Sequence, residues 1–116
     1  MPKPRNDTLY VKDMHEAVLD IASFVDGYDF ARFSGDKKTI AAVLRNFEIL
    51  GEAASRVPDD MRELAPEIDW RGIKDFRNVI AHFYRGVDLD LVWKLIATRL
   101  PKLTADLGAL RSKLGT

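Results

Sequence analysis

The stretch Leu89-Asp-Leu-Val-Trp-Lys-Leu-Ile-Ala-Thr-Arg-Leu-Pro-Lys-Leu-Thr-Ala-Asp-Leu-Gly-Ala-Leu-Arg-Ser-Lys-Leu114 decides the fold. Its apolar residues Leu89, Val92, Trp93, Ile96, Leu100, Leu103, Leu107, Leu110 and Leu114 recur mostly at steps of three and four. That is the repeat of one helix face, not the two-residue alternation of a strand. The run is long enough for an antiparallel partner or for a seam between two copies. It also offers more apolar positions than a small bundle should bury. Pro101 lies inside it and predicts a kink, because one backbone hydrogen bond is lost and the ring crowds the preceding turn.

Upstream the same periodicity continues. Gly86-Val-Asp88 reads as a break and a new cap, preceded by a helix through Trp70, Ile73, Phe76, Ile80 and Phe83 that Asp69 can cap. Asp59 to Pro66 is a short acidic turn that can be helical. Before it runs Ile40, Val43, Leu44, Phe47, Leu50, Ala54 and Val57, opened by Ser34-Gly-Asp36 and closed by Pro58. The first helix follows Tyr10, Met14, Ala17, Val18, Ile21, Val25 and Tyr28. Asn6 or Asp7 caps its start, Gly27 lies near its end, and a polar linker follows. No strand pattern competes. The expectation is an all-α, up-and-down four-helix bundle with a short extra helix. One domain spans residues 1–116, with its core in 8–114.

The chain has 116 residues, and 18 Lys and Arg balance 18 Asp and Glu. A uniformly basic nucleic-acid coat is thereby excluded, though a local patch is not. Zero cysteines exclude disulfides, thiolate metal sites and thiol nucleophiles. With two histidines, a histidine-rich metal site is not expected, and no cofactor is called for. The polar start and the lack of a long apolar run predict a cytoplasmic protein without membrane attachment.

Charge is unevenly spread. Residues 59–69 carry a net −4, and residues 71–85 a net +3 together with His82. On a helix, Asp75, Asn78 and His82 share one ridge, and Arg77 and Tyr84 share the neighbouring one. Arg77 and His82 stand about 140° apart around the axis. One chain would not aim both at one atom, whereas a two-fold dimer could gather two of each around a cleft. The chemistry that fits is phosphodiester transfer on RNA. A neutral imidazole takes the proton of a ribose 2′-hydroxyl, and a guanidinium holds the charge that develops on phosphoryl oxygens. Arg45, Glu48, Glu52 and Arg56 form a charged stripe on the second long helix. It is either a solvated face with weak charge pairs or a polar rim lining a cleft. His15 is expected on the solvated side of the first helix. Trp70, Phe76, Phe83 and Trp93 are expected in the core.

Arg77-Asn78-Val-Ile-Ala-His82-Phe-Tyr84 resembles the Arg-Asn-x-x-x-His-x-Tyr motif of HepT-type toxins, a branch of the HEPN superfamily. Arg45-Asn-Phe-Glu-Ile-Leu-Gly-Glu-Ala53 resembles the second-helix signature of that family. Trp70, Val87-Asp88 and Val92-Trp93 fit the same pattern, and the likeness covers roughly residues 8–100. The resemblance implies a helical bundle that forms a homodimer with the motif in an interface cleft. It implies a metal-independent endoribonuclease acting on RNA, with tRNA one known target class. It also implies a partner, a minimal nucleotidyltransferase antitoxin of a type VII-like pair, which can adenylylate Tyr84 and silence the toxin. An AMP group would add negative charge and bulk where a substrate phosphate sits. Carried over, Arg77 and His82 are catalytic, Asn78 supports the site, Tyr84 is the modified switch, and Arg45 and Glu52 line the rim. The family often has small or apolar residues before the arginine. Lys74-Asp75-Phe76 departs from that, and Asp75 either repels phosphate or orients His82.

A non-catalytic helical module that binds a nucleotide or a nucleotidyltransferase is the alternative. It would need Arg77 but not His82. A purely structural bundle is the third reading.

Overall fold

The computed structural model describes residues 7–83 and 88–116, with backbone alone for residues 77 and 79–83. Within them the chain is helical, without strands, in the order α1 (Asp7–Phe24), α2 (Phe30–Ser34), α3 (Lys37–Arg56), α4 (Asp59–Arg62), α5 (Trp70–Phe83), α6 (Leu89–Thr98) and α7 (Leu100–Leu114). The all-α bundle is as expected. Two short helices, α2 and α4, accompany it rather than one, and the last apolar run makes two helices.

The first and second long runs form an antiparallel pair. Tyr10, near the start of α1, lies under the Arg56 guanidinium at the end of α3 (6.0 Å). At the other end, the Tyr28 hydroxyl donates to Asp36, just before α3 (2.8 Å). Between them, Val11, Met14, Val18 and Ile21 of α1 and Val43, Phe47 and Leu50 of α3 are buried. Burial at this spacing, not intrinsic helix propensity, holds such helices.

Asp36 is the N-cap of α3, as the Ser34-Gly-Asp36 signal predicts. Its carboxylate accepts from the Thr39 amide (3.1 Å), the Thr39 hydroxyl (2.7 Å) and Tyr28. These donors, the Thr39 amide foremost, hold its pKa down to about 2. A depressed carboxylate stabilises the fold above its ordinary value and loses that contribution as pH falls towards the folded value. Asp36→Ala therefore lowers the thermal midpoint at pH 7, and the gap from the parent closes near pH 2 in a pH series of melts. Gly27, at φ +75°, adopts the left-handed conformation expected just past α1.

The segment expected to be a polar linker contains α2. Asp29 caps it by accepting from the Arg32 amide (2.8 Å). Phe33 is fully buried, with its ring 5.1 Å from that of Trp93 on α6. One aromatic anchor ties the segment to the core, and a five-residue helix carries little periodicity to read.

At Arg99 the last run breaks instead of kinking. Arg99 ends α6, its amide bonding the Leu95 carbonyl (2.9 Å), and α7 restarts at Leu100. Pro101 thus falls in the first turn of a new helix, where a missing N–H costs nothing. Leu100, Leu103, Leu107 and Leu110 are buried within the chain, where α7 packs along α1. Six of the nine apolar positions of this run are buried inside the bundle, and Leu89, Trp93 and Leu114 are half-buried.

His15 is not on a solvated face. It is partly buried between α1 and α7, its Nδ1 3.1 Å from Arg111 Nη1 and its ring against Gly108. Burial first, then the Arg111 charge, lowers its pKa, while Glu16 opposes them. The unfolded chain binds this proton more readily, so stability falls as pH drops below the ordinary value of 6.5. His15→Gln flattens that fall in melts taken between about pH 7 and 5.

No helix among the described residues is long and apolar enough to cross a membrane.

Candidate active site

Positions 77, 78 and 82 of the motif lie on α5, whose start is firmly fixed. Asp69 Oδ1 accepts from the Gly72 amide (2.9 Å), capping the helix as expected. A Cβ at position 72 would meet that carboxylate, so a larger residue there must displace the Asp69 side chain that caps the helix. The Trp70 indole donates to the Ala65 carbonyl (3.1 Å). Arg62 lies over the Trp70 ring (5.6 Å) and donates to the carbonyls of Val57 (2.9 Å) and Ala54 (3.0 Å) at the end of α3. An arginine that a sequence reader would count as surface charge thus closes one helix and props the next.

The inner face of α5 is Gly72, Ile73 and Phe76, all buried, with the Phe76 ring 5.3 Å from that of Phe47 on α3. The outer face is Arg71, Lys74, Asp75 and Asn78, all exposed. Asn78 is therefore available to a ligand. Position 82 is helical and one turn beyond Asn78, so the register puts it on the same outer ridge. Position 77 falls at the border between the inner and outer faces, about 140° from 82. The side chains of Arg77 and His82, and all of Tyr84, lie outside the described residues.

The charged stripe of α3 resolves into local pairs. Arg45 donates to Glu48 (3.3 Å), and Arg56 donates twice to Glu52 (3.1 and 2.9 Å). Arg45 and Glu52 share a face but bond different partners. The four side chains are 41–70% exposed, a setting in which such pairs contribute little stability.

A groove of about 320 Å³ lies where α5 begins and α6 gives way to α7. Ile68, Ile73, Phe76 and Leu103 form its apolar floor, and Asp69, Arg99, Lys102 and Asp106 stand at its rim. Arg99 approaches Asp69 (3.6 Å), and Lys102 bonds Asp106 (2.6 Å). Sequence reasoning missed it because three separate segments build it and none of its lining residues belongs to the motif.

A family model described as Ribonuclease HepT-like matches residues 14–110. The chain belongs to this family. Within the HEPN superfamily, this HepT-like chain has clear curated relatives. It is 39% identical over 102 residues to a Thermococcus cleftensis protein named "Probable ribonuclease HepT", covering 88% of this chain and 93% of that protein. Two Methanocaldococcus jannaschii proteins with RNase in their names are each 32% identical. One match covers 87% of this chain and 83% of the relative, the other 85% and 91%. No solved structure matches. The HepT-like match includes α3, where Arg45 and Glu52 lie, and the motif residues 77–84.

Proposed function

We propose that this chain, a ribonuclease of the HepT-like family, is a single-domain toxin that cleaves RNA, tRNA among its targets, with Arg77 and His82. The observation that carries the reading is the Arg77-Asn78-x-x-x-His82 array on a helix whose outer ridge is exposed at Asn78. His82 removes the proton from a ribose 2′-hydroxyl, and the freed oxygen attacks the adjacent phosphorus. The bond to the 5′-oxygen breaks, that oxygen takes up a proton, and the products are a 2′,3′-cyclic phosphate and a 5′-hydroxyl. Arg77 holds the charge gathering on the non-bridging oxygens with its forked donors, and Asn78 supports the site. A homodimer unites positions 77 and 82 of two chains, since the register of one helix turns them apart. Arg45 and Glu52 stand at the cleft rim.

Tyr84 is the switch. A minimal nucleotidyltransferase antitoxin transfers AMP from ATP to its hydroxyl with release of pyrophosphate, and the added phosphate repels the substrate. End-labelled tRNA incubated with the protein in EDTA tests the core of this reading. Intact mass on the same batch reports whether Tyr84 carries AMP. Cleavage leaving cyclic phosphate ends supports it. Intact RNA with unmodified, dimeric protein overturns it for tRNA and favours the nucleotide- or partner-binding module.

A further inference from the structure

We propose that Arg71 and Lys74 extend the RNA-binding surface along the outer face of α5, and that Asp75 weakens RNA binding there; this rests on the ribonuclease reading above. Both cations are exposed on the face that carries Asn78. At 1.5 Å per residue, Arg71 and Asn78 are about 10 Å apart along the axis, and position 82 is about 16 Å from Arg71. The cations therefore continue the motif's ridge in the direction of the helix start.

Their electrostatic state differs from that of many surface cations. Arg45, Arg56 and Lys102 each bond a carboxylate on their own helix. Arg71 and Lys74 are held in no ion pair among the described residues. An unpaired cation on a long stem is free to meet a phosphate and release its condensed counterion. Asp75 is exposed on the same face and subtracts from the field that the two cations create.

The path is bounded at one end. Past Arg71 towards the N-terminus, Asp59, Asp60, Glu63, Glu67 and Asp69 are exposed, while Arg62 turns inward onto backbone carbonyls. A polyanion on α5 is repelled there. Its strand therefore runs from Arg71 towards the motif and stays off the groove between α5 and α7.

The test measures binding apart from cleavage. A fluorescein-labelled single-stranded RNA is titrated by anisotropy against His82→Ala protein carrying the native ridge, Arg71→Gln with Lys74→Gln, or Asp75→Asn. Each lost phosphate contact flattens the dependence of log K on log salt by about 0.7, so the double variant loses about 1.4 in slope and roughly tenfold in affinity at 0.15 M salt. Asp75→Asn binds several-fold tighter, a gain that misfolding cannot produce. If the native ridge binds RNA and the double variant binds with equal affinity and slope, the ridge proposal is wrong and the ribonuclease reading stands. If neither binds RNA, both fall.

Discussion

Replacing His82 with alanine abolishes RNA cleavage and leaves the bundle folded. A positioned acid/base contributes about 10²–10⁴ in rate. Here the imidazole is the group assigned to take the 2′-hydroxyl proton, so its removal takes that whole contribution away. Stability is spared because position 82 continues the exposed ridge of Arg71, Asp75 and Asn78 rather than the buried one of Ile73 and Phe76. The measurement pairs a single-turnover rate on end-labelled RNA with a thermal melt of each protein. Arg77→Ala separates the roles further. It removes transition-state charge stabilisation, worth about 10²–10³, and weakens RNA binding, whereas His82→Ala keeps the binding. Equal rates for parent and His82→Ala would remove the histidine from the mechanism.

Phe76→Ala produces the largest loss of stability. The side chain is 4% exposed, and its ring meets that of Phe47, which is 1% exposed. Truncating a buried phenylalanine costs about 3–5 kcal/mol through lost transfer energy and the cavity left behind. A domain of this size has about 5–15 kcal/mol in total, so a large share of the folded state's margin disappears. The contact joins α5 to α3, and α5 carries the motif. Cleavage by Phe76→Ala therefore fails at a lower temperature than cleavage by the parent, in step with its melt. A urea midpoint unchanged from the parent would show that the α3–α5 contact is not where the core is held.

The helical class was plain in the sequence because every long run has a face of apolar residues at steps of three and four. Asp36, Asp69 and Asp88 were legible as caps, and each accepts the backbone bond expected of it. What escaped reading depends on contacts distant in sequence. Phe33 ties a presumed linker to the core by packing on Trp93. His15 left its expected solvated face because Gly108, more than ninety residues later, gives it space. Pro101 was read as a kink because the unbroken leucine repeat hides a restart at Leu100. For the site, the candidates Arg77, Asn78, His82 and Tyr84 are close in sequence, so a motif could mark them without any long-range contact. The groove by Arg99 and the inward turn of Arg62 have no such linear signature.

The closeness of His15 and Gly108 makes two distant positions into a single choice. A Cβ added at 108 would stand 3.3 Å from His15 Nε2, tighter than ordinary contact, so the imidazole sets the spacing of α1 and α7 as a washer sets the spacing of two plates. Enlarging residue 108 alone wedges the plates apart, and shrinking residue 15 alone leaves them a gap to close. A substitution at either position is therefore felt at the other, although they lie ninety-three positions apart in the chain.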